Sequence, residues 1–291
     1  MGGRGKTPLV AYLASRLVRA GERPAILSRG YGRRQVDDGV VVVSDGLHLL
    51  ADLDRSGDEP LMLARAVPGA IVLVCEQRSI AAAMATNTFK ASVLLLDDGF
   101  QHRSMRRDVD LVIVNAEDLA ARRLPFGPLR EGPGALRRAS AVVIDGEMSS
   151  LQRKTLPVPA FSMTRTAGQP VPLEPGSHSV SLDAGAKVVA LCAIARPERF
   201  AQTLDSAGLT VTKSIAFRDH HQFSTKDVAA AAAAMRQTAA SAVVTTEKDA
   251  VRLLAFRPLP VPVAYVPLSV SFEPSQGFDR WCDERIRGAR A

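Results

Sequence analysis

The stretch Gly5-Lys6-Thr7-Pro8, at the head of the chain, restricts its fold more than any other feature. Gly-Lys-Thr is the back half of a phosphate-binding loop. Glycines let such a loop turn its N–H groups onto phosphate oxygens, a lysine ammonium reaches the outer phosphates, and a Thr hydroxyl sits on Mg²⁺. Met1-Gly2-Gly3-Arg4 extends the glycine-rich run, so Gly2, Gly3, Arg4, Gly5, Lys6 and Thr7 are the candidate nucleotide-binding residues. Pro8 suits a first helical turn, where its missing N–H costs nothing. Leu9, Val10, Leu13 and Leu17 then recur at helical spacing up to Gly21. The positive end of that helix would add to the loop's pull on an anion. The full motif needs an earlier glycine and a preceding strand that the sequence does not include, so Gly-Lys-Thr alone is equally consistent with a plain glycine-rich terminus.

The order of elements supports the phosphate-loop reading. Short apolar runs at 24–28, 71–75, 93–96, 111–114 and 141–144 alternate with helical stretches. Unbroken apolar strands between helices mean a parallel sheet covered on both faces, with active groups beyond the strands' carboxyl ends. The expected fold is therefore α/β, a P-loop NTPase-like parallel sheet covered by helices. A core over 1–150 is followed by a Pro/Ser/Thr/Gly-rich connector at 151–186. A second, smaller α/β unit fills 187–291. Two apolar runs around Asp45-Gly46 predict a hairpin at about 36–51, a candidate lid or a plain surface hairpin. The tail after Pro274 shows no clear signal.

The run 93–96 ends in Asp97-Asp98. A carboxylate at the end of a buried strand is what a nucleotide site needs for Mg²⁺ or its waters. Paired with Lys6 and Thr7, the two aspartates make a nucleotide with Mg²⁺ the expected ligand. Asp58, in Gly57-Asp58-Glu59-Pro60, reads either as a helix N-cap or as a general base. Asp219-His220-His221 follows a strand, and either histidine could balance a carboxylate base. Metal binding there lacks further ligands at suitable spacing. Arg78 and the pair Arg130-Glu131 sit next to turns, and arginine suits bidentate phosphate binding. Thr246-Glu247-Lys248-Asp249 reads as a capped helix start with no catalytic role.

A net charge of +7 over 291 residues favours an acidic partner, a nucleotide or an anionic membrane surface. With aromatics at 5%, base-stacking platforms are scarce and nucleic acid is not expected. Three cysteines without a Cys-x-x-Cys suggest neither disulfides nor zinc. No long apolar span is present.

Taken together, the motifs resemble those of the tetraacyldisaccharide 4′-kinase (lipid A 4′-kinase) family. The matching stretches are Gly2 to Pro8, Ser28 to Gly32, Gly57 to Pro60, Asp97 to His102, Gly127 to Glu131, Arg196 to Phe200, Asp219 to His221 and Thr246 to Asp249. The resemblance implies transfer of the ATP γ-phosphate to the 4′-hydroxyl of a lipid-linked glucosamine disaccharide. It implies Lys6 and Thr7 at the phosphates, Thr7, Asp97 and Asp98 at the metal, and Asp58 as base with His220 as its partner. Arg78 would stabilise charge, and Tyr31, Arg130 and Glu131 would lie near the substrate. The hairpin falls where the family has a nucleotide lid. The cytoplasmic face of the bacterial inner membrane and a monomer follow from the same likeness. Family members carry a membrane-anchoring helix and a strand ahead of the loop. The sequence begins without them, which leads to the expectation of a misplaced start, a GTG valine codon read as Met. A metallochaperone-type GTPase or ATPase, and an inactive nucleotide-binding protein, remain the alternatives.

Overall fold

The computed structural model describes residues 5–35, 39–102, 104–124, 126–127, 129–174, 182–219 and 221–290. In chain order the N-terminal half runs α1 (Lys6–Arg19), β1 (Pro24–Ser28), β2 (Val41–Asp45), α2 (Leu53–Ser56), α3 (Asp58–Ala66), β3 (Ile71–Val74), α4 (Arg78–Asn87), β4 (Val93–Leu96), β5 (Leu111–Val114), α5 (Ala116–Ala120) and β6 (Ala141–Asp145). Then come α6 (Ser150–Lys154), β7 (Ala160–Ala167), β8 (Val171–Pro172), β9 (Lys187–Cys192), α7 (Pro197–Ser206), β10 (Thr210–Ala216) and α8 (Thr225–Gln237). The chain ends with β11 (Ala242–Thr246), α9 (Glu247–Leu253), β12 (Val263–Val266), β13 (Leu268–Glu273) and α10 (Ser275–Arg290).

These strands form three sheets, in the orders β2-β3-β1-β4, β13-β7-β6-β5 and β10-β9-β11-β12-β8. Parallel pairing dominates, and it is antiparallel at the margins, β2 on β3, β13 on β7 and β8 on β12. The parallel strands are the apolar ones, as burial on both faces requires: β1, β3 and β6 are almost wholly buried. β4 and β5 are half-buried edge strands. Among the described residues each has one ladder partner, β1 and β6 respectively, and both line the same cavity.

The expected lid is in part a sheet strand. β2 is laddered to β3, and the turn after it returns only as far as a bridge between Ser44 and Leu49. A segment with its backbone bonded into a sheet cannot swing as a free flap; residues 36–38 of the expected lid lie outside the described residues. The expected connector carries α6, β7 and β8. Its β7 joins β6 to β13. The tail holds a 16-residue helix, α10. Phe278 and Cys282 of that helix pack with Leu9 of α1, Met163 and Phe272. Boundaries at 150 and 187 therefore cut through one sheet. The second unit is also not isolated, because Val251 of α9 packs into the cluster of Leu61, Leu63 and Val67 from the α3 region.

Candidate active site

Gly5 sets the start of α1. Its φ is +74°, a left-handed conformation that glycine adopts without strain, and a Cβ there would lie 2.9 Å from Met163 Cε. The helix therefore begins with Lys6 and Thr7 in its first turn, where backbone N–H groups are left open for an anion. Leu9, Ala14 and Leu17 face the core and hold that end in place. Gly2, Gly3 and Arg4 lie outside the described residues.

At the end of β4 the chain turns sharply. Asp98 has φ +55°, in the left-handed region that aspartate tolerates better than most residues. This turn sends the two carboxylates in different directions. Asp98 Oδ1 accepts a 2.8 Å hydrogen bond from Lys6 Nζ across 92 positions, and its Oδ2 lies 3.5 Å from Arg130 Nη1. Burial opposes charge on Asp98, but Lys6 and Arg130 outweigh it and hold the carboxyl below the usual range. Asp97 is buried instead. Desolvation, with Glu59 as the next cause, pushes its carboxyl up to about 6, against the pull of Lys6.

Arg78, the first residue of α4, is buried and donates from Nη2 to the Asp97 carbonyl at 3.0 Å. Its Nε is buried with no hydrogen-bond partner among the described residues. Desolvation and the nearby Arg29 work against its charge, while Asp97 and Asp98 favour it. A buried cation with an open donor suits an incoming anion.

Lys6, Tyr31, Arg78, Asp97, Asp98, Arg130 and Glu131 all line one cavity of 1170 Å³, together with Glu59 and Asp219. Glu131 is held by Arg138 at 2.5 Å, and the Tyr31 side chain stands in the open. Thr7 is in the same helical turn as Lys6 but is not among the lining residues.

Asp58 is not an N-cap. Gly57 holds that position, with φ 80° and ψ 166°, a region open essentially to glycine alone, and no side chain caps the helix. Asp58 is the first residue of α3, and its carboxylate accepts from Arg252 in a tertiary contact. It is buried and is not among the residues that line the cavity, although its neighbour Glu59 is. His220 lies outside the described residues. Its neighbour His221 bonds Asp227 at 3.1 Å and stacks on Phe217 with ring centroids 4.2 Å apart. That is a structural tie to the start of α8.

Sequence reasoning missed Lys248 and Arg252. Lys248 Nζ lies within 4 Å of carboxylate oxygens on Asp58, Glu59 and Asp219, and Arg252 bridges Asp58 and Asp249. The available signal was spacing: positions 248 and 252 are one turn apart and share a helix face.

A parallel α/β sheet, a helix N-terminus carrying Gly-Lys-Thr, and paired aspartates at the end of β4 define a phosphate-loop nucleotide-binding protein. The family model for tetraacyldisaccharide-1-P 4′-kinase matches residues 1–287, and the chain belongs to that family. Among similar curated proteins, the tetraacyldisaccharide 4′-kinase of Syntrophus aciditrophicus (strain SB) is 36% identical over 98% of this chain and 82% of its own length. The enzyme of the same name from Anaeromyxobacter sp. (strain Fw109-5) is 40% identical over 88% of this chain and 72% of its own. A crystal structure of LpxK from Aquifex aeolicus in complex with ATP superposes with a TM-score of 0.77 at 28% identity. It covers 98% of this chain and 85% of that one.

Proposed function

We propose that this cavity is where the γ-phosphoryl group of ATP passes to the 4′-hydroxyl of a tetraacyl glucosamine disaccharide 1-phosphate. The observation that carries the reading is the meeting of Lys6 and Asp98 at 2.8 Å on the wall of the 1170 Å³ cavity that Arg78 and Asp97 also line.

The acceptor oxygen attacks phosphorus in line with the bond to the β-phosphate. An O–P bond forms, the bridging P–O bond breaks, ADP leaves, and the hydroxyl proton passes to a base. In this reading the base is Asp58, with His220 as its partner. Lys6 and the open face of Arg78 hold the charge that spreads over the phosphoryl oxygens. Lys6 is free to make that move because its present partner is weakly held. Both side chains of the Lys6–Asp98 pair are over 40% exposed, and such pairs contribute about 0–1 kcal/mol. Tyr31, Arg130 and Glu131 border the same space, which supports a role for them at the sugar and its phosphate.

The donor set suits Mg²⁺, which takes one or two carboxylates and fills its other positions with phosphate oxygens and water. Asp97, Asp98 and Thr7 would hold the ion, whose charge offsets that of the β- and γ-phosphates when it is bound. The lipid-linked acceptor and the +7 charge favour an anionic membrane surface, the cytoplasmic face of the inner membrane, as the place of work.

Labelled ATP, supplied with and without the disaccharide 1-phosphate lipid, tests the assignment. Label should appear on the lipid at the 4′ position. Release of inorganic phosphate at the same rate whether or not the lipid is present would point to a nucleotide hydrolase and overturn it.

A further inference from the structure

Helix α9 belongs to the five-stranded sheet, far in sequence from the phosphate loop, yet it packs directly on α3. Three of its charged residues form a chain of contacts ending on Asp58. Asp249 is fully buried; its Oδ2 accepts from the Ala193 backbone N–H and from the Thr246 hydroxyl, each at 2.8 Å. Its Oδ1 accepts from Arg252 Nη1 at 2.8 Å. Arg252, itself buried, donates from Nη2 to Asp58 Oδ2. Lys248, one helical turn earlier, brings its ammonium to 3.8 Å from the same Asp58 oxygen. It also lies 3.6 Å from Asp219 and 3.9 Å from Glu59, both of which line the cavity.

A carboxylate taken out of water needs a cation to stay charged. Among the described residues, Arg252 and Lys248 both approach one Asp58 oxygen. The guanidinium is rigid and is fixed from behind by Asp249, so it sets the carboxylate's plane. The ammonium is a point charge on a flexible stem that can follow the cavity wall. We infer that Arg252 and Lys248 are positioning residues for the kinase reaction, holding the Asp58 carboxylate aligned from the second α/β unit. This rests on the assignment of Asp58 as the base. A network that served only to join α3 to α9 would contribute to folding and leave turnover alone.

Steady-state phosphotransfer and thermal unfolding of Arg252→Met, Arg252→Lys and Lys248→Met, each alone and combined with Asp58→Asn, separate these roles. Arg252→Met should lower kcat on the order of 10²-fold, the cost of a misplaced catalytic group, with KM for ATP within about twofold. Arg252→Lys should recover part of that loss, and Lys248→Met should lower kcat in the same direction. In the Asp58→Asn background neither substitution should lower kcat further, because the group they act through is gone. Folded single variants with wild-type kcat, or losses that multiply with that of Asp58→Asn, would overturn the inference. If Arg252→Met does not fold, Lys248→Met at the edge of the network decides by the same criteria. Wild-type turnover by Asp58→Asn alone would instead remove the base assignment.

Discussion

Asp97 carries a cost that can be read out by pH. Burial pushes its carboxyl up to about 6, whereas aspartate in an unfolded chain titrates near ~3.9. Between these values the folded protein keeps a proton that the unfolded chain has released, so stability falls as pH rises through that window. The full penalty is present above about pH 6 and absent below about pH 4; it amounts to roughly 3 kcal/mol. Asp97→Asn removes it. In ligand-free protein, the variant's stability advantage in denaturant unfolding should grow from pH 4 to pH 6.5. A difference that stays flat with pH would show that the carboxyl is not buried in this way. Asp98 differs because the left-handed turn gives it to Lys6 and Arg130. Adjacent residues of one type thus divide into a desolvated group and a paired one.

Among the elements, α10 holds the phosphate loop's helix from behind. Tyr12 of α1 donates to Asp279 at 2.8 Å, and Arg16 pairs with Asp279 and Asp283. Phe278, fully buried, stacks on Phe272 at 3.8 Å and meets Phe161 edge-on at 5.1 Å. Phe278→Ala should cost about 3–5 kcal/mol in denaturant unfolding. A loss under about 1 kcal/mol would mean that α10 does not pack there. The tail gave no clear signal because its charged residues hide the pattern, yet Phe278, Trp281, Cys282 and Ile286 do recur at helical spacing. Strands β1, β3, β4, β5 and β6, by contrast, were legible to within a residue or two, whereas β7, inside the expected connector, and β13 were not. Buried parallel strands are unbroken apolar runs, and their ends are where Asp97 and the loop at Ser28 appear. The hairpin turn was legible too, but not its tether, since the ladder to β3 depends on pairing that no local signal reports. Asp58 posed the same difficulty. Its local sequence reads as a cap, and its partner Arg252 is 194 positions away.

At the scale of the molecule, the site is assembled from distant parts of one chain. The phosphate loop comes from α1, the acidic pair from β4, an arginine from α4, and the cations flanking Asp58 from α9. The same chain carries a net charge of +7. Attraction to a surface is screened within about 8 Å at physiological ionic strength. The protein should therefore co-sediment with vesicles containing anionic lipid at 50 mM salt and largely release at 300 mM. Equal binding to neutral vesicles would contradict an electrostatic contact. The central claim is that Lys6 and the aspartate pair serve one triphosphate. Single-turnover transfer from saturating ATP to the lipid acceptor, comparing wild type with Lys6→Ala, tests it most directly. Loss of the phosphoryl-transfer step by about 10²-fold or more in a folded variant is the expected result. A Lys6→Ala enzyme that transfers phosphate at the wild-type rate would contradict the account.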